Sequence, residues 1–156
     1  GAWRDSFIGV GNGVETSLGL INDTFETAIT WDQWPSFDAA VRERVGAALA
    51  ETFGEHHSLS CRFTHVYPDG PAPYYTWFGM GTQGSEISQW QTIKDAANEA
   101  VVSAGGTSTH HHAVGRMHRP GAYDVQRPEL FAESIRAVKK RLDPNGILNP
   151  GVLIDP

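Results

Sequence analysis

The sequence has one cysteine, Cys61, among its 156 residues. A single thiol cannot form an intramolecular disulfide or furnish a cysteine-based zinc site. Long apolar runs are missing too, since no stretch approaches the roughly 18 residues that a membrane helix needs. The first residues show no basic segment followed by an apolar one, so no signal peptide is expected. Repeats and low-complexity tracts are absent. Positive charge is scarce: twelve Lys and Arg face eighteen Asp and Glu, for a formal charge of −6 and a pI near 5.6. That balance argues against general nucleic-acid binding. What is present is apolar material, 40% of the chain, enough for one domain of ordinary size with its own core.

The scarce positive charge is unevenly placed. Residues 1–115 hold five Lys and Arg against thirteen acids. Residues 116–141, from Arg116 to Arg141, hold the other seven against three acids. A local basic stretch in an acidic chain suits either a specific anion, such as a phosphate, or a solvated helix face that balances acids elsewhere.

Periodicity outlines the elements. Residues 1–20 are glycine-rich and read as an irregular lead-in. Residues 24–31 are β-branched and aromatic, a strand. Trp34-Pro35-Ser36 starts a helix in which Phe37, Val41, Val45, Leu49 and Phe53 recur at helical spacing until Gly54. Residues 59–67 alternate, with Leu59, Cys61, Phe63, His65 and Tyr67 on one face. The turn at 68–71 leads to a third strand at 74–80. Ser85 caps a second helix that ends at Gly105-Gly106. Residues 107–114 are a short fourth strand or an extended segment, and 115–126 a loop. Pro128 opens a third helix, expected to bury Leu130, Phe131, Ile135, Val138 and Leu142, and residues 147–154 form an extended tail. The implied class is α+β: a ferredoxin-like split βαβ with an antiparallel sheet, both helices on one face, and a C-terminal helix and tail.

Four groups of residues carry chemistry. Gly79-Met-Gly81-Thr-Gln-Gly84 is a literal G-x-G-x-x-G between strand and helix. Its strand is the second arm of a hairpin, and no acid follows at the expected distance, so a strand-to-helix turn is the better reading than nicotinamide binding. His110-His111-His112 suit proton transfer near neutral pH or donation to an anion. On a strand they would split between two faces, a poor metal set unless His118, His65 or an acid joined them. A small metal- or ligand-binding module is the non-enzyme alternative, and surface histidines are the bland one. Tyr74-Tyr75 could supply a phenol for acid–base work, or two core aromatics. Arg62 and His65, with Arg116, His118 and Arg119, could surround a phosphate or pair with the many acids.

Five segments come in a familiar order and spacing: Asp23-Thr24-Phe25-Glu26-Thr27, Cys61-Arg62 to His65 and Tyr67, Tyr74-Tyr75-Thr76, the histidine triplet with Val114-Gly115-Arg116, and Leu142-Asp143-Pro144-Asn145-Gly146 with Asn149-Pro150-Gly151. They resemble the C-terminal part of FAD-linked oxidases of the vanillyl-alcohol-oxidase type, and among these the alkyldihydroxyacetonephosphate synthases, over about residues 20–156. The resemblance implies that residues 21–156 are a cap, or substrate, domain that closes over the flavin of an enzyme whose N-terminal FAD-binding half lies outside this chain. It puts Tyr74 on an active-site tyrosine and His111 on a histidine that shares its proton. His110 and His112 fall beside substrate phosphate and flavin, and Thr24 lines the site. Arg62 and Arg116 are expected on the phosphate, His112 and Asn149 toward FAD, with no metal. The substrate is a small phosphorylated or hydroxy compound; the full enzyme exchanges an acyl for an alkyl group on a dihydroxyacetone phosphate ester or oxidises a hydroxy acid or alcohol. Asn12 stands where the synthases carry arginine, which leaves the oxidase open. The isolated chain is expected to fold, to be inactive, and to expose an apolar face that promotes self-association, a homodimer included. The cytoplasm, or a peripheral position on a membrane, is the expected location; the last residues are not a peroxisomal signal.

Overall fold

A computed structural model of the chain describes residues 17–155. Most of the lead-in, Asn12 included, lies outside the described residues. The elements are β1 (Leu20–Glu26), α1 (Trp34–Phe53), β2 (His57–Val66), β3 (Pro71–Met80), α2 (Glu86–Ser103), a single-turn α3 (Asp124–Gln126) and α4 (Glu129–Leu142). The sheet order is β1-β3-β2, and both pairings are antiparallel. β1 and β2 therefore run parallel with β3 inserted between them, the split arrangement of the α+β class expected.

The core forms on one face of this sheet. Proline in the first turn of α1 costs no hydrogen bond there, and Gly54, at φ +61°, ends the helix. Between them Phe37, Val41, Val45, Leu49 and Phe53 are buried at intervals of four. α2 buries Ile93, Ala97, Ala100 and Val101 against the same cluster, and the sheet contributes Ile21, Phe25, Tyr75 and Trp77. Each large side chain buried here contributes about 1.5–3 kcal/mol. The first two glycines of the G-x-G-x-x-G run serve this packing, and Gly84, at φ +85°, serves the turn. A Cβ on Gly79 would lie 2.4 Å from the Phe53 ring, and one on Gly81 would lie 2.5 Å from Ile21. Backbone and core meet too closely there for any side chain, and no dinucleotide is needed to explain the motif.

The strand limits differ from the sequence reading. β1 starts four residues early, because Leu20 and Ile21 pair with Met80 and Gly79. β3 reaches back to Pro71. Its prolines act only as acceptors: the Thr27 and Ile29 amides donate to the carbonyls of Pro73 and Pro71. A β-bulge between Phe63 and His65 changes the register of β2. Leu59, Cys61 and Phe63 keep the helix side, while His65, opposite Ala72, moves to the side of Tyr74. Strict alternation had kept His65 with the core-facing set.

Two further expectations need correction. Residues 107–114 form no strand and are not extended throughout; the chain bends at 108 and 110–112, beside the end of β1, where Thr27 Oγ1 donates to the Thr107 carbonyl at 2.7 Å. And the apolar stripe of α4 is not buried. Ala132 is the fully buried residue of this helix, whereas Leu130 (76% exposed), Phe131 (50%), Val138 and Leu142 (74%) face outward. The helical period is right, but periodicity identifies an apolar face without saying whether its partner lies on the same chain.

The basic stretch is largely spent on internal ties. Arg116 donates twice to the Pro150 carbonyl. Arg119, buried, pairs with Asp124 and Asp155. Arg127 reaches Asp124 and the Leu153 carbonyl. Arg136 pairs with Glu129, and Lys139 with Asp143 and the Leu148 carbonyl. These bonds strap the tail onto the 115–127 segment and α4, so ion pairing rather than a captured anion accounts for most of the stretch. No described helix is long and apolar enough to cross a membrane.

Candidate active site on the open face of the sheet

The face away from α1 and α2 is polar, and sheet register assembles it. Glu26 of β1, Tyr74 of β3 and Arg62 of β2 are direct cross-strand neighbours. Residues directly opposite share a face, so the three form a row. Thr24, two residues before Glu26, joins them: the Tyr74 hydroxyl donates to Thr24 Oγ1 at 3.1 Å. The Arg62 guanidinium sits over the Tyr74 ring, 4.9 Å from its centroid. The bulge in β2 adds His65. Tyr75, the other member of the pair, points the opposite way, stacked on Phe25 at 4.7 Å and donating to Asp38 at 2.8 Å. Burial and the Asp38 bond push its phenol well above the usual range, so Tyr75 is a core aromatic.

The histidine triplet is anchored by Glu26. This carboxylate is 3% exposed. Its Oε1 accepts from the amides of His110 (2.7 Å), His111 (2.9 Å) and His112 (2.9 Å) and from the Thr109 hydroxyl (2.7 Å). Three successive amides converging on one oxygen make a backbone nest for an anion. Burial raises the Glu26 pKa, and the four hydrogen bonds outweigh it, so the net shift is downward. The other oxygen, Oε2, is buried without a hydrogen bond among the described residues. His111 Nδ1 is 3.1 Å away and His110 Nδ1 3.7 Å, at ion-pairing distance but off the line a hydrogen bond needs.

Held this way, the three imidazoles do not alternate between faces. His111 lies nearly parallel to the Tyr74 ring with centroids 6.1 Å apart, and His112 meets the same ring edge-on at 5.6 Å. His110 Nε2 is 3.4 Å from the Tyr67 hydroxyl, and its ring packs on His65 at 5.7 Å. Ring nitrogens of His65, His110 and His111 all lie within 4.8 Å of one another, close enough for a metal ion to bridge them. A cleft of about 490 Å³ opens beside His110, walled by residues 28–30, Tyr67 and Gly70.

Other candidates sit elsewhere. His118 is half-buried with Nδ1 accepting from the Gly115 amide, and burial, then the Lys94 charge, lowers its pKa. Arg116 is turned to the tail, as described. Asn149, at φ +46°, lines the groove between α4 and the tail. Cys61 is no nucleophile: burial, then the Asp38 charge, pushes its thiol up to about 11. Sequence reasoning missed Glu26 and Thr109 as the clamp, and Tyr67 as a partner of His110. The one available signal was an acid in an otherwise apolar strand end, Phe25-Glu26-Thr27-Ala28.

The open sheet face thus gathers a tyrosine, an arginine and anchored imidazoles in one place. Residues 1–153 match the family model described as FAD linked oxidases, C-terminal domain, and the chain belongs to that family. Among curated relatives it is 30% identical over 141 residues to the alkyldihydroxyacetonephosphate synthase of Caenorhabditis elegans, covering 88% of this chain and 23% of that protein. It is 30% identical over 132 residues to the enzyme of the same name from Trypanosoma brucei brucei, covering 85% of this chain and 21% of that one. A solved structure of alkyldihydroxyacetonephosphate synthase shares the fold at TM-score 0.58 and 14% identity, over 94% of this chain and 24% of that chain. The chain thus spans less than a quarter of the relatives it matches.

The donor set also bears on the flavin that the family binds. Gly79 and Gly81 are filled by Phe53 and Ile21, which leaves no phosphate cradle at that loop. The hydroxyl, imidazole and guanidinium groups of the open face could donate to a small anionic or hydroxyl compound. The residues here suit a neighbour of the cofactor, not its principal holder.

Proposed function

We propose that this chain is the substrate-facing cap of an FAD-dependent enzyme acting on a small phosphorylated or hydroxy substrate. The leading reaction is exchange of an acyl for an alkyl group on a dihydroxyacetone phosphate ester, as the relatives' name suggests. Oxidation of a hydroxy acid or alcohol is the alternative, favoured by Asn12 where the synthases carry arginine. The observation that carries the reading is the packing of Tyr74 against His111 and His112 with Arg62 over its ring.

The flavin, held mainly by an N-terminal half, would supply the electron sink at the reacting carbon, with His112 and Asn149 toward it. The remaining work falls to side chains of this chain. Tyr74, whose hydroxyl rests on Thr24, and His111 exchange the proton that leaves or joins that carbon. Arg62 and His110 donate to the anionic group; Arg116 joins them by releasing the Pro150 carbonyl. The exposed stripe of α4 meets the N-terminal half, with a second copy of the chain as the alternative partner. One thiol, partly buried, suits a reducing compartment such as the cytoplasm.

In the full-length protein, Tyr74→Phe and His111→Ala should each lower kcat by about 100-fold or more while flavin absorbance stays at one per chain. Unchanged turnover in both variants would overturn the assignment. Oxygen uptake with hydroxy acids, in the absence of alkyl exchange, would select the oxidase.

A further inference from the structure

We propose that Glu26 is a positioning residue that fixes His111 with its proton on Nδ1, leaving Nε2 as the free base. This deepens the reading above and rests on it.

The two oxygens of Glu26 do different things. Oε1 alone holds the nest, taking all four donors from residues 109–112. Oε2 adds nothing to that anchorage. It is buried without a hydrogen bond among the described residues, a condition that is costly for a carboxylate oxygen. The nearest nitrogens are His111 Nδ1 at 3.1 Å and His110 Nδ1 at 3.7 Å, and a small turn of the His111 ring would complete a bond. An ionised carboxylate only accepts, so the nitrogen that faces it must carry hydrogen. His110 Nε2 faces the Tyr67 hydroxyl and carries the hydrogen there, which leaves His110 Nδ1, 3.4 Å from His111 Nδ1, as a second acceptor for the His111 hydrogen. His111 is the ring that also lies along Tyr74. With Nδ1–H committed to Glu26, Nε2 is unprotonated and turned away from the carboxylate. A carboxylate that orients an imidazole in this way selects the tautomer of a general base.

Glu26→Gln separates this role from the structural one. The amide oxygen can occupy the Oε1 position and keep the nest. The amide nitrogen then faces His111 Nδ1 and forces it to accept, which moves the ring proton to Nε2. In full-length holoenzyme carrying E26Q, flavin content and hydrogen-exchange protection of amides 110–112 should match the parent. kcat should fall by about 100-fold or more with KM little changed. Histidine-selective ¹⁵N spectra of the full-length protein should report Nδ1–H for His111 in the parent and Nε2–H in E26Q. Parental kcat in a folded E26Q would overturn the proposal. If E26Q does not fold, the parent spectrum alone decides, and Nε2–H there would overturn it. So would a stoichiometric metal ion in protein purified without a metal column and lost on His65→Ala, because Nδ1 would then be a ligand. If Tyr74→Phe and His111→Ala reduce turnover but E26Q does not, only this inference falls. If none of the three does, the site reading falls with it.

Discussion

The open sheet face and the C-terminal segment invert the usual relation between polarity and burial. At the end of β1 a carboxylate is 3% exposed, while on α4 Leu130 is 76% exposed. Glu26 tolerates burial because four donors surround one of its oxygens. Leu130, Phe131, Val138 and Leu142 stay exposed because nothing among the described residues covers them. The anchor around Glu26 is complete within the described residues, whereas the α4 face is left unfinished by them.

Glu26→Ala should break the complete region with the largest effect on stability. Removing the acceptor strands three part-buried amides, while the Thr109 hydroxyl keeps the His112 carbonyl, and the cost should be about 3 kcal/mol or more, read as a lowered denaturation midpoint in urea. A loss under about 0.5 kcal/mol would mean that water replaces the carboxylate and that the nest is not an anchor.

Acid should act on the same region. The folded pKa of Glu26 lies below its ordinary value, so folding releases a proton near that value. The contribution is fully present above the unfolded pKa of about 4.3 and is lost as pH falls through the lower folded one. Denaturation midpoints should decline below about pH 5, and less steeply in E26Q. Parallel curves for the two proteins would remove Glu26 from the acid response.

The smallest effect belongs to the unfinished region. Val138→Ser should change stability by no more than about 0.5 kcal/mol, yet weaken attachment of the cap to the flavin half, seen as faster proteolysis between them. A loss above about 2 kcal/mol would show that this face is already buried and that the contrast between the regions is false.

Much of this was legible in the residues themselves. α1 and α2 carry apolar side chains at a spacing that only a helix can bury on one side, and the antiparallel hairpin is marked by its Pro-Asp-Gly-Pro turn. The histidine triplet stood out because three consecutive imidazoles are unusual, whereas only the resemblance separated Tyr74 from Tyr75. The convergence of the triplet and Tyr74 was expected from the resemblance alone and could not be read from spacing. The bulge that turns His65 to the open face depends on one extra residue fitted between Phe63 and His65, and nothing local announces it. Nor could spacing reveal that Glu26 gathers the amides of residues 110–112, since backbone donors look alike in every sequence.

The sequence by itself determined which segments become helices and strands, because period and turn chemistry are local properties of the chain. Tertiary structure alone decided which polar atoms are buried together and which apolar stripe is left uncovered. Those outcomes depend on what each face meets across 84 or more residues of chain, as Glu26 meets His110, and on surfaces that this chain does not contain.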